Sequence, residues 1–162
     1  EKGPGQSWTM ASALKASEDL SKANIENGKK MFQAALCSRC HMHSGEGGGA
    51  GPELTNLASR FSKTDILKAI TDPSEVISEQ YETTVFTLKD KSSIKGRLIK
   101  DDEKHLHIAT NPFDFSLITK ILKSSVEKSE PSKVSTMPPS LINSLNPDEL
   151  RDLMLYLTTQ PK

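Results

Sequence analysis

The chain has 162 residues, enough for one domain or a small domain with an insert, and only 35% are hydrophobic and 5% aromatic. The 21 basic and 21 acidic residues give a formal net charge of zero, which argues against nucleic acid or an anionic membrane surface as a partner. No apolar run approaches the roughly 20 residues of a membrane span. The polar start, Glu1 to Gln6, is followed by no apolar stretch, so we expect no signal peptide there.

The first 35 residues predict an extension and then a helix. Residues 1–23 carry Trp8 and a stretch rich in Ser, Ala and Lys, which indicates an N-terminal extension with one loose helix. From Asn24 to Ala35, apolar residues recur at helical spacing. Gly28 inside this helix costs about 1 kcal/mol relative to alanine. A close crossing with another helix would justify that cost.

The next segment, Cys37-Ser38-Arg39-Cys40-His41, has the C-x-x-C-H spacing of a haem c attachment site. In such a site, two thiols add to the vinyl groups of a porphyrin and the histidine becomes the proximal iron ligand. A thioredoxin-like motif would need a βαβ context, and a zinc site would need a second set of ligands. The flanks here are a helix and a glycine-rich loop, and the motif uses both cysteines of the chain. A buried porphyrin would also supply apolar volume that the composition lacks.

A flexible glycine-rich run, residues 45–52, separates this motif from the next helix. That helix begins at Ser62, with Asp65 in a capping-box position, and ends at Asp72-Pro73.

The chain then changes character. Segments rich in Thr, Val, Ile and Phe predict strands at 81–88, 94–100, 105–110 and 117–122, with a short fifth near Val126. This spacing is typical of a small antiparallel meander or barrel. The last helix has Asn146 as its cap, Pro147 at its first position and Glu149 closing the box, followed by Leu residues at helical spacing.

The order helical, β, helical predicts a discontinuous domain. We expect residues 24–77 and 131–160 to form one helical domain, with an inserted β meander or barrel at 78–130 and the extension at 1–23. The expected fold class is mainly α, or α+β when the insertion is counted.

The residues around these motifs carry a resemblance to a known family. They are Gly28 and Phe32 before the cysteines, Gly51-Pro52-Glu53-Leu54 after them, and Met137-Pro138 before the terminal helix. In these features the chain resembles class I cytochrome c. It is similar in particular to the haem-binding domain of the Pirellula/Verrucomicrobium type. The residues that carry that similarity are Asn27-Gly28-Lys29-Lys30-Met31-Phe32, Gly45-Glu46-Gly47-Gly48, Ser59-Arg60-Phe61, Asp72-Pro73-Ser74-Glu75-Val76-Ile77 and Pro131 to Pro138.

The resemblance implies one covalently bound haem c. Cys37 and Cys40 would form the thioethers, and His41 would be the proximal ligand. The Pro52 carbonyl would accept a hydrogen bond from the His41 ring, and Leu54 would pack on the haem face.

For the distal side, the resemblance implies Met137 as the second iron ligand, whose soft thioether raises the potential relative to bis-histidine ligation. The alternatives are that Met137 is core filler, or that His105 or His107 of the β segment replaces it or holds a separate metal. Those two histidines alternate with apolar residues in a strand, so the default expectation is that they face solvent. Arg60 is a candidate partner for a haem propionate, or else an exposed residue beside a helix.

The implied function is single-electron transfer between exported redox partners, in the periplasm or another exported location, without enzymatic activity. The chain would be a mature form or a domain cut from a larger exported protein. A haem enzyme or sensor, peroxidase-like or reactive with nitrogen oxides, is the alternative and needs a labile distal ligand. A third hypothesis is that the β insertion is a partner-binding module. The identity of the partners, the potential and the oligomeric state stay open.

Overall fold

The structure is a computed structural model that describes residues 2–160. Within that range it contains four α-helices and seven β-strands. In chain order these are α1 (Met10–Ala16), α2 (Ile25–Ala34), β1 (Met42–His43), β2 (Glu46–Gly47), α3 (Lys63–Thr71), β3 (Thr84–Leu88), β4 (Ser93–Asp101), β5 (His105–Ala109), β6 (Ile118–Leu122), β7 (Val126–Pro131) and α4 (Pro147–Thr158).

Helix, including the 3₁₀ turns, makes up 34% of the residues that the structure describes and strand 21%, so the fold is mixed α+β. These proportions correct the expectation of a mainly α protein. The α-helices are short, with 12 residues in α4 and only seven in α1. The segment between the helical parts carries a sheet of five strands, which is a large share of a chain of this length.

The chain folds into two compact units. Described residues up to Glu75 and from Met137 onward form the helical unit, and Val76–Thr136 form the β unit. The sequence places the insertion at 78–130. Strand β7 continues to Pro131 and pairs there with Thr84, so the last strand runs past that limit.

The helical unit is built on the crossing of α2 and α4. An added Cβ at Gly28 would lie 2.8 Å from Cβ of Tyr156 and would also meet the backbone of Asp152. The rings of Phe32 and Tyr156 pack at the same crossing with centroids 5.6 Å apart. The close approach that the sequence suggests for Gly28 is therefore confirmed, because no larger residue leaves room for the two backbones.

Helix α1 packs into the same core, although the sequence suggests only a loose helix in an extension. Ala13 and Ser17 are fully buried, and α1 lies against α3 and α4. The Lys63 ammonium at the start of α3 donates to the carbonyls of Ser17 and Glu18, at 2.5 Å and 2.9 Å. These contacts tie the N-terminal region to the rest of the helical unit.

Helix α4 begins as the sequence predicts. Asn146 accepts a hydrogen bond from the Glu149 amide, the Glu149 side chain returns to the Asn146 amide, and Pro147 occupies the first turn. Helix α4 contributes more buried side chains to the helical unit than any other helix, including Leu150, Leu153 and Leu157. The cap therefore fixes where the main apolar face of the unit starts.

The β unit is a five-stranded antiparallel sheet with the order β6-β5-β4-β3-β7. Strands β3 to β6 follow one another as a meander, and β7 returns to the free edge of β3. Strand β4 pairs with both β3 and β5, and its pairing with β5 shifts between Leu98 and Lys100. Phe86, Ile108 and Ile121 form the buried centre of this unit.

None of the helices between residues 2 and 160 combines the length and apolar character that crossing a membrane requires.

Candidate functional site

The two cysteines and His41 lie on a tight turn that follows α2. Leu36 adopts the left-handed conformation with φ of 62°, and a 3₁₀ turn spans Cys37–Arg39. The amides of Cys40 and His41 both donate to the Cys37 carbonyl, at 3.2 Å and 2.9 Å. The turn thus brings two thiols and an imidazole together in one short segment.

Both cysteines are free thiols and neither is fully exposed. Burial raises the pKa of the Cys37 thiol to about 12. Burial also raises the pKa of Cys40, with a smaller opposing effect from Arg39. Burial therefore favours the neutral thiol form of both residues.

The His41 ring is held by a single hydrogen bond. Its Nδ1 lies 2.7 Å from the Pro52 carbonyl oxygen. A carbonyl only accepts, so Nδ1 carries the hydrogen and Nε2 keeps its lone pair. Burial lowers the pKa of His41, and the bond to Pro52 partly opposes that effect. The result is a neutral, oriented imidazole with one nitrogen available to a metal.

The glycine-rich run after the motif is pinned to it by backbone hydrogen bonds. Gly48 donates to the Ser38 carbonyl at 2.9 Å, and Gly51 donates to the Cys40 carbonyl at 2.7 Å. The short pair β1–β2 forms inside the same run. The run predicted to be flexible is therefore anchored at several points, and this anchoring places Pro52 at the His41 ring.

Gly51 also touches the imidazole directly. An added Cβ would lie 2.7 Å from Cε1 and 2.9 Å from Nδ1 of His41. At neighbouring Gly49, by contrast, an added Cβ would have no heavy atom within 4 Å. Close packing of backbone against the ring explains the need for glycine at position 51.

Leu54 and Met137 are both partly buried and pack against the apolar core of the helical unit. The Leu54 amide donates to the Met42 carbonyl at 2.9 Å, which links it to the segment after His41. Met137 begins the loop that leads to α4. The structure thus places both residues in the same unit and the same apolar cluster as Cys37.

Arg60 is exposed and contacts protein groups. Its guanidinium lies 3.5 Å from the Glu53 carbonyl and 5.7 Å from the centroid of the Phe61 ring. The proposed pairing with a haem propionate stays a prediction.

His105 and His107 lie on β5 in the β unit and meet Asp102. Nε2 of His107 is 2.7 Å from the Asp102 carboxylate, and Nδ1 of His105 is 3.6 Å from it. Hydrogen bonds from His107 and from the His105 and Lys104 amides hold the pKa of Asp102 well below its usual range. His107 is only 15% exposed in this arrangement, so it does not simply face solvent as the strand alternation suggests.

His43 is a buried residue that the sequence does not single out. It is 2% exposed, and its ring lies 4.3 Å from that of Tyr156 and 5.9 Å from that of Phe32. Nδ1 is 3.0 Å from the Ser44 hydroxyl, whereas Nε2 has no hydrogen-bond partner among the described residues. Its position two residues after His41 is the signal that the sequence offers.

The donor set fits a c-type haem. Two unpaired thiols and one imidazole with a free Nε2 stand in a single turn, and a thioether lies in the same core. Within residues 2–160, no group of three or more His, Cys, Asp or Glu side chains is arranged to hold a metal ion.

A family model described as Cytochrome c matches residues 25–103. The matched stretch contains α2, the cysteine motif and α3, and it ends inside the β unit, before Met137 and α4. No curated protein matches the chain. The match supports a class I cytochrome c domain, and domains of that family carry covalently bound haem c and act in electron transfer.

Proposed function

We propose that the chain is a mono-haem c-type cytochrome that carries single electrons between exported redox partners, with His41 and Met137 as axial ligands. The observation that carries the proposal is the 2.7 Å contact between His41 Nδ1 and the Pro52 carbonyl, beside two free thiols. It leaves Nε2 as the ligand atom and fixes the ring that presents it. The similarity to the Pirellula/Verrucomicrobium-type domain belongs to the same proposal.

The haem supplies the redox-active iron when bound. Cys37 and Cys40 would hold it through thioethers, and His41 would ligate through Nε2. The Pro52 carbonyl keeps the imidazole in one tautomer and raises its basicity. Leu54, packed in the apolar core, would exclude water from the haem face. Two protein ligands, His41 and Met137, would hold the iron in both oxidation states, so little reorganisation would accompany electron transfer.

Met137 is proposed as the distal ligand for two reasons. It belongs to the helical unit and packs against the cluster that includes Cys37. It also starts an irregular loop, rather than a helix face where an apolar side chain would need no other explanation. A thioether stabilises ferrous iron and raises the potential relative to a second histidine.

The ferric near-infrared absorption band of Met–Fe ligation tests this assignment. We expect the wild-type protein to show the band, and Met137→Ala to lose it and to bind added carbon monoxide or imidazole readily. Met137→His would remain low-spin with a lower potential.

Met10→Leu is the matched control, because Met10 is another partly buried methionine packed on the same core. It should keep the band. A band that survives Met137→Ala, or a wild-type spectrum without it, would overturn the distal assignment while leaving the thioether attachment to be checked separately by mass spectrometry.

The same proposal includes four further points: an exported location, proteins as electron donor and acceptor, a single haem, and electron transfer rather than enzymatic turnover. The supports are the one C-x-x-C-H motif of the sequence and the family match, since cytochrome c domains are typically exported. We also propose that the helical unit forms the haem domain and that the β unit, Val76–Thr136, is an insertion in it, in place of the boundaries 24–77 and 131–160 that the sequence predicts.

A further inference from the structure

Residues 2–9, the N-terminal segment, lie against the loop that connects Met137 to α4. We propose that this segment, through Trp8 above all, is a positioning element for the Met137 loop and sets how often the loop opens. The inference rests on the proposed function, because it takes Met137 as the distal ligand.

The loop itself is irregular and needs anchoring. After Met137 it passes through Ser140, which adopts a left-handed conformation with φ of 68°, and a short 3₁₀ turn, Leu141–Ser144. Ile142 and Leu145 are buried and anchor the part next to α4. At its two ends the turn is closed by backbone hydrogen bonds, from the Asn143 amide to the Ser140 carbonyl and from the Leu145 amide to the Ile142 carbonyl. Contacts from outside the loop pair further polar groups of this segment.

Trp8 supplies two of these contacts. Its indole Nε1 donates to the Leu145 carbonyl at 3.1 Å, and its backbone amide donates to the Asn143 side-chain carbonyl at 3.2 Å. The indole ring is itself packed against the helical core. One aromatic side chain thus joins the loop to the core by hydrogen bonding on one side and by apolar packing on the other.

The residues before Trp8 extend the contact. An added Cβ at Gly5 would lie 2.9 Å from Cα of Ser144 and would also meet the Asn143 carbonyl, so the two backbones touch there. The Asn146 side-chain amide lies 3.4 Å from the Gly3 carbonyl, and the Lys2 amide donates to the Glu149 carboxylate. The segment follows the loop from its 3₁₀ turn into the first turn of α4.

These contacts matter for a thioether ligand because the bond between sulfur and iron is weak. A loop that opens releases the ligand, and an external ligand then binds only to the fraction of molecules in the open state. Each hydrogen bond that favours the closed loop changes that fraction about three- to tenfold. The N-terminal segment therefore tunes ligand exchange without contacting the ligand atom.

The test is imidazole binding to the ferric holoprotein, followed by loss of the Met–Fe near-infrared band. Trp8→Phe keeps the aromatic packing and removes the donor to Leu145, and Gly5→Ala forces the segment away from the loop. We expect each to lower the apparent Kd for imidazole about three- to tenfold. Hydrogen exchange of the 141–145 amides should quicken by a similar factor, while exchange in α4 stays unchanged.

Two controls match these variants. Ser7→Ala alters an exposed side chain in the same segment, and Gly49→Ala makes the same chemical change as Gly5→Ala where an added Cβ meets nothing within 4 Å. Both should bind imidazole as the wild type does. If Trp8→Phe and Gly5→Ala match these controls, or if they quicken exchange in α4 as much as in the loop, the positioning role is overturned and the proposed function stands. If wild-type protein lacks the Met–Fe band, the distal assignment fails and the inference falls with it.

Discussion

Gly51 and His41 show how a single backbone position controls the imidazole. The His41 ring lies between the Pro52 carbonyl, which accepts from Nδ1, and the backbone of Gly51, which packs against the ring carbons. A hydrogen bond alone would allow the ring to tilt about its Nδ1. The second contact removes that freedom, so the orientation of Nε2 is fixed by shape as well as by polarity.

We expect Gly51→Ala to lower the free energy of unfolding of the haem-loaded protein by about 1–3 kcal/mol, because its Cβ would press on the ring at 2.7 Å. Denaturant unfolding followed by Soret absorption measures this change. The haem content per chain should fall as well, since the ring can no longer sit in its present position.

Gly49→Ala is the matched control, because it places the same methyl group in open space two residues away. Equal stability and equal haem content for the two variants would show that Gly51 is not packed on the ring as described.

Much at this scale could be predicted from the sequence. The spacing of Cys37, Cys40 and His41 predicts thioether attachment of haem, because that chemistry requires those residue types in that order. The burial of His43 and the engagement of His107 by Asp102 could not be predicted, because both depend on which strands lie beside them. The alternation of polar and apolar residues predicts which face of a strand a side chain lies on, but it does not predict which other residues pack against that face.

At the scale of elements, the helical unit depends on the contact between α2 and α4. Asp152 of α4 accepts from the Asn24 amide and from the Asn27 side chain, both at 2.7 Å, and so ties down the start of α2. Gly28 then allows the two helices to touch. The hydrogen bonds of Asp152 and the close packing at Gly28 therefore both hold α2 against α4.

Gly28→Ala should therefore destabilise the protein by about 1–3 kcal/mol in denaturant unfolding. Alanine has a helix propensity about 1 kcal/mol more favourable than that of glycine. A net loss of stability in Gly28→Ala would therefore mean that the steric clash outweighs this gain. The clash is with the backbone of Asp152 and Cβ of Tyr156, neither of which moves by rotating a side chain.

The exposed residue Lys30 lies on the same helix and provides the comparison. Lys30→Ala should change stability by no more than about 0.5 kcal/mol. A Gly28→Ala protein as stable as the wild type, or more stable, would mean that the helices are farther apart than described.

Elements with strong local signals could be predicted from the sequence. Asn146, Pro147 and Glu149 specify the start of α4 because each fills a position whose backbone groups need that residue type. The pair β1–β2 and the anchoring of the 45–52 run could not be predicted. A glycine-rich sequence indicates a backbone with many accessible conformations, but it does not indicate which hydrogen bonds fix one of them. The packing of α1 was missed for a similar reason, because a seven-residue helix has too little periodicity to show a buried face.

At the scale of the whole molecule, each unit has its own apolar centre. Ile108 is fully buried in the β unit, and Leu67 is fully buried in the helical unit. The order of helical and β segments along the sequence predicts this division, because each segment shows the apolar spacing of either a helix or a strand and not of both. The return of β7 to the edge of β3 could not be predicted, because a simple meander with β7 beside β6 would show the same strand signals.

We expect Ile108→Ala to destabilise the β unit by about 2–5 kcal/mol, the range for a large buried side chain cut to alanine. Hydrogen exchange should quicken in β3 to β7, while the Soret and near-infrared bands of the haem stay unchanged.

Leu67→Ala is the reciprocal variant, with an equally buried side chain in the helical core. It should weaken the haem-bound unit and leave exchange in the sheet as it is. Loss of the haem bands in Ile108→Ala would contradict the independence of the two cores.

The crossing of α2 and α4 also bears on how the chain is made. Asn24 and Asp152, which are joined by a hydrogen bond at that crossing, stand 128 positions apart in sequence. Closing so long a loop carries an entropic penalty before any packing compensates for it, and α4 is synthesised after every strand of the β unit. The helical unit therefore cannot complete its fold before α4 has been made, whereas the β unit has all its pairing partners earlier.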